Sequence, residues 1–162
     1  MRPARVALAL ALLALTGAGC AEAPPHESAA IELGTGSWRF EPLEDGQEVE
    51  LVRGAQGGWH MWISVRVRGL EGDALPLRLT MQPADESAPP SETEIRLRLD
   101  LADDEGWRKL VGYTGVVNEP SCLVGELMRV RVSTPMDDGT TIASERDVRV
   151  LGGAYPPEPC SE

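Results

Sequence analysis

From about Ile31 onward, apolar and polar residues alternate with a period of two, segment after segment. "QEVELV" sets Val49 and Leu51 against Glu48 and Glu50. "WHMWISVRV" sets Trp59, Met61, Ile63, Val65 and Val67 on one side. "LPLRLTM" repeats the pattern with Leu75, Leu77, Leu79 and Met81, and "TEIRLRLDL" with Ile95, Leu97, Leu99 and Leu101. "LMRVRV" adds Met128, Val130 and Val132, and "TIASERDVRVL" adds Ile142, Val148 and Val150. A shorter piece, "WRF", places Trp38 and Phe40 on a common side. Successive side chains of a strand point to opposite faces, so this beat predicts sheets with one packed face and one wet face. No long segment carries apolar residues at helical spacing.

The connectors agree with that reading. "EDGQ" places Asp-Gly between two strand patterns, and "RGLEGDA", "ADESAPPS", "NEPSC" and "MDDGT" separate the others. Many short strands between such turns predict a sandwich or barrel. "GWRKLVGYTGVVNEP", residues 106–120, has no clean period. It is read as one strand over Leu110 to Tyr113 or as a segment wrapping a sheet edge. "QPADESAPPSE", residues 82–92, reads as a long polar loop.

The closing hairpin, Glu126 to Leu151, resembles the last strand pair of immunoglobulin-like bacterial domains: a valine strand, a "DDG" turn and an alternating return strand. The resemblance implies an all-β, antiparallel, immunoglobulin-like β-sandwich of about seven to eight strands. The antibody-type Cys…Trp…Cys spacing is missing.

"GAQGGWHMWISVRVRG" holds two of the four tryptophans and one of the two histidines. Alternation sends Trp59 to the core with Met61, Ile63 and Val65, and puts His60, Trp62, Ser64, Arg66 and Arg68 on the opposite, wet face. Gly57 and Gly58 predict a positive φ or a bulge ahead of the strand. Trp62 beside His60 then has two readings. In one, the pair is a small recognition patch for a sugar, a peptide or a partner protein. In the other, a loop or the stem of an Arg covers the indole.

Twenty residues of different texture precede the domain. "MRPAR" is basic, "VALALALLAL" is apolar but short for a bilayer span, and "TGAGC" is small. That order makes a secretory signal peptide, where a spanning helix would need roughly 20 apolar residues. "LTGAGC", Leu15 to Cys20, resembles the lipobox of bacterial lipoproteins, with Leu15 two places ahead of the usual position, which Gly17 occupies. The resemblance implies cleavage after residue 19 and lipidation of Cys20, which anchors the chain to a membrane. Ala21 in place of an Asp implies the outer membrane under enteric-type sorting. Ordinary cleavage after Ala23 is the rival reading. The expected organisation is a signal peptide over 1–19, a lipidated N-terminus and Pro- and Ala-rich tether over 20–30 that includes His26, and the sandwich with its tail over 31–162.

Lipidation consumes Cys20 and leaves Cys122 and Cys160 as an even pair in an oxidising compartment. A disulfide between them would close a loop of about 38 residues and hold down the tail "AYPPEPCSE". The alternative is a metal-binding or nucleophilic Cys, but there is no CxxC and no nearby His in sequence.

Loss of the signal removes Arg2 and Arg5, so the formal charge moves from −11 to −13. Such a surface is repelled by nucleic acid and by anionic head groups. Copper is disfavoured because His60 and Met61 fall on opposite faces of one strand, and Met81, Met128 and Met136 are scattered. Calcium has two carboxylate-rich loops, Asp100/Asp103/Asp104/Glu105 and Asp137/Asp138, neither with EF-hand spacing. The sequence has no G-x-S-x-G, H-E-x-x-H or Walker loop. Arg96 and Arg98 beside Glu94 and Asp100, and Arg149 beside Asp147, read as sheet-surface charge pairs. The expectation is a cofactor-free, non-catalytic envelope lipoprotein that acts as a binding or adaptor module for a protein or glycan, through the His60–Trp62 face or the adjacent loops. A structural envelope component without a specific ligand, or a calcium-binding sandwich, stands as the alternative.

Overall fold

The structure is a computed structural model that describes residues 28–72 and 74–160. The signal peptide, Cys20, His26 and most of the tether lie outside the described residues. Among the described residues there is no α-helix, and the one helical element is a 3-10 turn, Pro120–Cys122.

Ten strands form two sheets: β1 Ala30–Thr35, β2 Glu41–Pro42, β3 Glu48–Glu50, β4 Val52–Arg53, β5 Trp59–Arg68, β6 Ala74–Pro83, β7 Ser91–Arg98, β8 Arg108–Val117, β9 Leu127–Pro135 and β10 Thr141–Leu151. The first sheet runs β2-β1-β5-β4, with β8 on the far side of β5. The second runs β3-β10-β9-β6-β7. Every pairing is antiparallel except β3 with β10, which is parallel. The all-antiparallel expectation is therefore corrected at that edge. Chain residues 43–51 leave the first sheet, cross to the second and lay β3 beside the last strand. The Asp-Gly turn at Asp45 and Gly46 thus joins strands of different sheets and makes no hairpin. Gly46 N–H donates to the Asp147 carbonyl at 2.7 Å and Asp147 N–H to the Asp45 carboxylate at 3.0 Å, which pins the crossing.

The inward faces meet as the alternation requires. Met61, Ile63, Val65 and Val67 of β5 pack against Leu77 and Leu79 of β6, Val130 and Val132 of β9, and Val148 and Val150 of β10, all buried. Each such side chain contributes roughly 1.5–3 kcal/mol on burial. Trp59 joins this core at its margin.

Three expectations fail in instructive ways. "WRF" is not a strand: Trp38 lies in a bend between β1 and β2 and is 94% exposed. The bend starts at Gly36, whose φ is +100° and whose Cβ, were there one, would strike the Arg39 carbonyl. Leu101 does not continue the core stripe, because β7 ends at Arg98 and Leu101 is 95% exposed in the following loop. The unperiodic residues 106–120 contain a full ten-residue strand, β8. Its register against β5 slips between Ile63↔Tyr113 and Val65↔Leu110, so Val111 and Gly112 together face Ser64. That β-bulge shifts the alternation by one residue and hides the strand from a period-two reading.

Cys122 and Cys160 form a disulfide. It ties the tail to the 3-10 turn between β8 and β9. Nearer the sheet, Ala154 N–H donates to Glu50 Oε1 at 2.9 Å.

Candidate functional site

The outer face of β5 carries His60, Trp62, Ser64, Arg66 and Arg68, as the alternation requires, but it is not uniformly wet. Ser64 is fully buried. The loop after β1 folds back over it, with Ser64 Oγ donating to the Gly36 carbonyl at 3.0 Å and accepting from Gly112 N–H at 3.2 Å. Arg66 is paired with Glu32 of β1 at 2.6 Å, and its guanidinium lies 4.9 Å from the Phe40 ring centre and 4.4 Å from that of Trp107. Arg68 also lies over the Trp107 ring, at 4.8 Å. Trp107 is buried, though it belongs to no inward stripe. A second, cationic-aromatic layer thus covers the Arg66 half of the sheet.

Sequence reasoning missed this layer. The cue for Trp107 was the turn before it: Asp103 Oδ1 accepts from Trp107 N–H at 2.9 Å and Asp103 Oδ2 from Lys109 at 2.6 Å. The Lys109 hydrogen bond, chiefly, holds the Asp103 carboxyl below its usual range. The loop proposed for calcium is in this way tied into its own turn. In the other acidic loop Asp138 accepts from the Thr140 backbone and hydroxyl. Among the described residues no three His, Cys, Asp or Glu side chains converge as a metal site would need.

The remaining half of the face holds the residues singled out as a patch. His60 and Trp62 touch, ring centres 4.7 Å apart and planes at 81°, an edge-to-face arrangement. His60 Nε2 is buried without a hydrogen-bond partner, and burial pushes the imidazole pKa down. Met61 points to the core, so the His–Met pair stands on opposite faces.

Trp62 lies at a gap in the sheet. The β1 ladder ends at Gly34↔Ser64, and the β4 ladder begins at Val52↔His60. Residues Met61, Trp62 and Ile63 therefore have a strand neighbour only on the β8 side. The Thr35 hydroxyl caps the gap by donating to the Trp62 carbonyl at 2.7 Å. A groove of about 630 Å³ opens there. Trp62, the exposed Trp38, and Glu48 and Glu50 of β3 in the second sheet are among the residues that line it. Arg39 and Glu41 also line it, bonded to each other at 2.7 Å. His60 does not line the groove; it packs behind Trp62. The sequence pointed to Trp62 and His60 and missed Trp38, the more exposed indole, because "WRF" passes for a strand.

The charge pairs expected on the second sheet are partly exchanged. Arg149 donates to the Gly125 carbonyl at 2.6 Å and leaves Asp147 to Arg129, at 3.1 Å. Glu94 pairs with Arg78 at 2.9 Å.

No protein-family model, curated protein or solved structure matches this chain.

Proposed function

We propose that the chain is a lipid-anchored cell-envelope protein whose sandwich acts as a non-catalytic binding module for a protein or glycan partner. The observation that carries the reading is the groove at the β5 gap, which Trp62 and a 94%-exposed Trp38 both line among polar residues. An indole this exposed is available for ligand contact, and tryptophan is enriched among the residues that carry binding energy. The non-catalytic reading is supported by the sequence, which has no G-x-S-x-G, H-E-x-x-H or Walker loop.

The anchor rests on the lipobox resemblance at Leu15 to Cys20. The immunoglobulin-like assignment rests on strand order. Among the seven strands of six residues or more, the first, second and fifth (β1, β5, β8) share one sheet, and the third, sixth and seventh (β6, β9, β10) share the other. The fourth, β7, pairs with β6 and so sits on the opposite sheet from the constant-type arrangement.

A pull-down from detergent-solubilised envelope tests the module, comparing wild type with Trp62→Ala and Trp38→Ala. The reading predicts partners recovered by the wild type and lost or reduced with each variant. Equal recovery by all three would remove the groove from the function. Intact mass of the mature protein tests the anchor, through acyl mass on Cys20.

A further inference from the structure

The geometry points to a cationic side chain, the arginine or lysine of an extended polypeptide segment, as the group that the Trp38–Trp62 groove receives. This rests on the binding-module reading and narrows its ligand to one class. Three features of the groove favour a cation.

The first is charge. Glu41, Glu48 and Glu50 line the groove with a single guanidinium, Arg39, and that guanidinium is already bonded to Glu41. Glu50 keeps one oxygen on Ala154 N–H, and the Glu48 carboxylate makes no hydrogen bond or ion pair among the described residues. An anionic ligand, such as a phosphorylated or uronic sugar, meets net repulsion here. A neutral sugar can stack on an indole but leaves the carboxylate field uncompensated.

The second is the aromatic surface. Indole offers the strongest cation–π face among the natural side chains. Trp38 presents it almost wholly to solvent, within the same groove as the carboxylates. Ring and carboxylate attract the same ligand group, and each lowers the cost of bringing it out of water.

The third is the protein's own practice on the same sheet face. Arg66 lies over Phe40 and Trp107 while paired with Glu32, and Arg68 lies over Trp107. There the fold fills its aromatic–carboxylate seats with its own guanidiniums. Around Trp38 the equivalent seat has the ring and the acids, and Arg39 turns to Glu41.

The test uses the full mature lipoprotein in detergent micelles, titrated by calorimetry with four probes: an octapeptide alternating Ser and Arg, its Lys and Glu counterparts, and chitohexaose as a neutral glycan. The proposal predicts that the Arg and Lys peptides bind, that salt weakens them, and that the Glu peptide and chitohexaose do not bind. Trp38→Ala and Glu48→Gln each weaken the Arg peptide by about three- to tenfold. Asp104→Asn, in the loop between β7 and β8 and outside the groove lining, leaves it unchanged. If Asp104→Asn costs as much as Glu48→Gln, or if Trp38→Ala costs nothing, binding is general attraction to an acidic protein and the proposal is overturned. If chitohexaose binds in a Trp38-dependent manner while the peptides do not, the cation assignment falls and the binding module stands. If no probe binds and the envelope pull-down is also insensitive to both tryptophans, the two readings fall together.

Discussion

Ser64 and Gly112 meet across the bulge in β8, the serine hydroxyl accepting the glycine N–H at 3.2 Å while donating to Gly36 C=O at 3.0 Å. One buried hydroxyl therefore satisfies two irregular backbone segments, the bulge and the bend that leads to Trp38. Ser64→Ala leaves a donor and an acceptor without partners at a site closed to water. The expected cost is about 1–3 kcal/mol, and a fall of several degrees in Tm by calorimetry checks it. The loop bearing Trp38 should loosen with it, read as faster amide exchange at residues 36–40.

Gly112 has φ +72°, and a Cβ there would stand 2.6 Å from the Ser37 carbonyl oxygen. Gly112→Ala therefore meets both left-handed strain and a backbone clash. It should destabilise the domain by about 2 kcal/mol or more. Gly139→Ala is the control: φ is +82° but nothing lies within 4 Å, so only the backbone term remains. Urea midpoints should fall further for Gly112→Ala than for Gly139→Ala, and equal midpoints would contradict the close approach.

How far these features could be read in advance depends on whether the local rule also governs the tertiary contact. Val130, Val132, Val148 and Val150 were placed correctly because a regular antiparallel hairpin keeps strict phase, and nothing interrupts it between Leu127 and Leu151. β8 was nearly lost because the bulge at Val111 and Gly112 reverses the facing of everything after it. Strand geometry alone puts Ser64 on the wet face. Its burial comes from residues 36–40 folding back, a contact between segments 28 positions apart that no periodicity encodes. The same holds for β3, whose parallel partner lies at the far end of the chain. His60 and Trp62 were legible as neighbours because i and i+2 on a strand must share a face. Trp38 was not, because only the positive φ at Gly36 takes it out of strand geometry.

The disulfide closes a loop with a sequence separation of 38 residues. Chain entropy alone makes that worth about 4 kcal/mol. Cys122→Ala/Cys160→Ala should lower unfolding free energy by up to that amount. It should also free residues 152–160, so that limited proteolysis first removes the tail. A urea titration of oxidised and reduced protein measures the first effect. Unchanged midpoints would mean that the crossing residues 43–51 and the Glu50–Ala154 hydrogen bond already hold the tail without it.

His60 gives the fold a pH dependence whose sign follows from its burial. Its ordinary pKa is 6.5, and desolvation pushes the folded-state value below that, because the charged ring would sit against Trp62 with Nε2 cut off from water and unpartnered. The unfolded chain therefore binds the proton first as pH falls, and stability drops from about pH 6.5 downward until the folded form is protonated as well. Asp85, Asp103 and Asp138 also have lowered pKa values, from hydrogen bonds to Ser87, Lys109 and Thr140 respectively, but they act below their ordinary 3.8. Below pH 6.5 and above the range of those carboxylates the decline in Tm should thus belong mainly to His60. His60→Gln removes the titrating group and keeps a polar side chain of similar reach. It should flatten Tm across that window while leaving the acid limb below pH 4 intact. An unchanged slope in the variant would show that the imidazole is not the group that titrates against the fold.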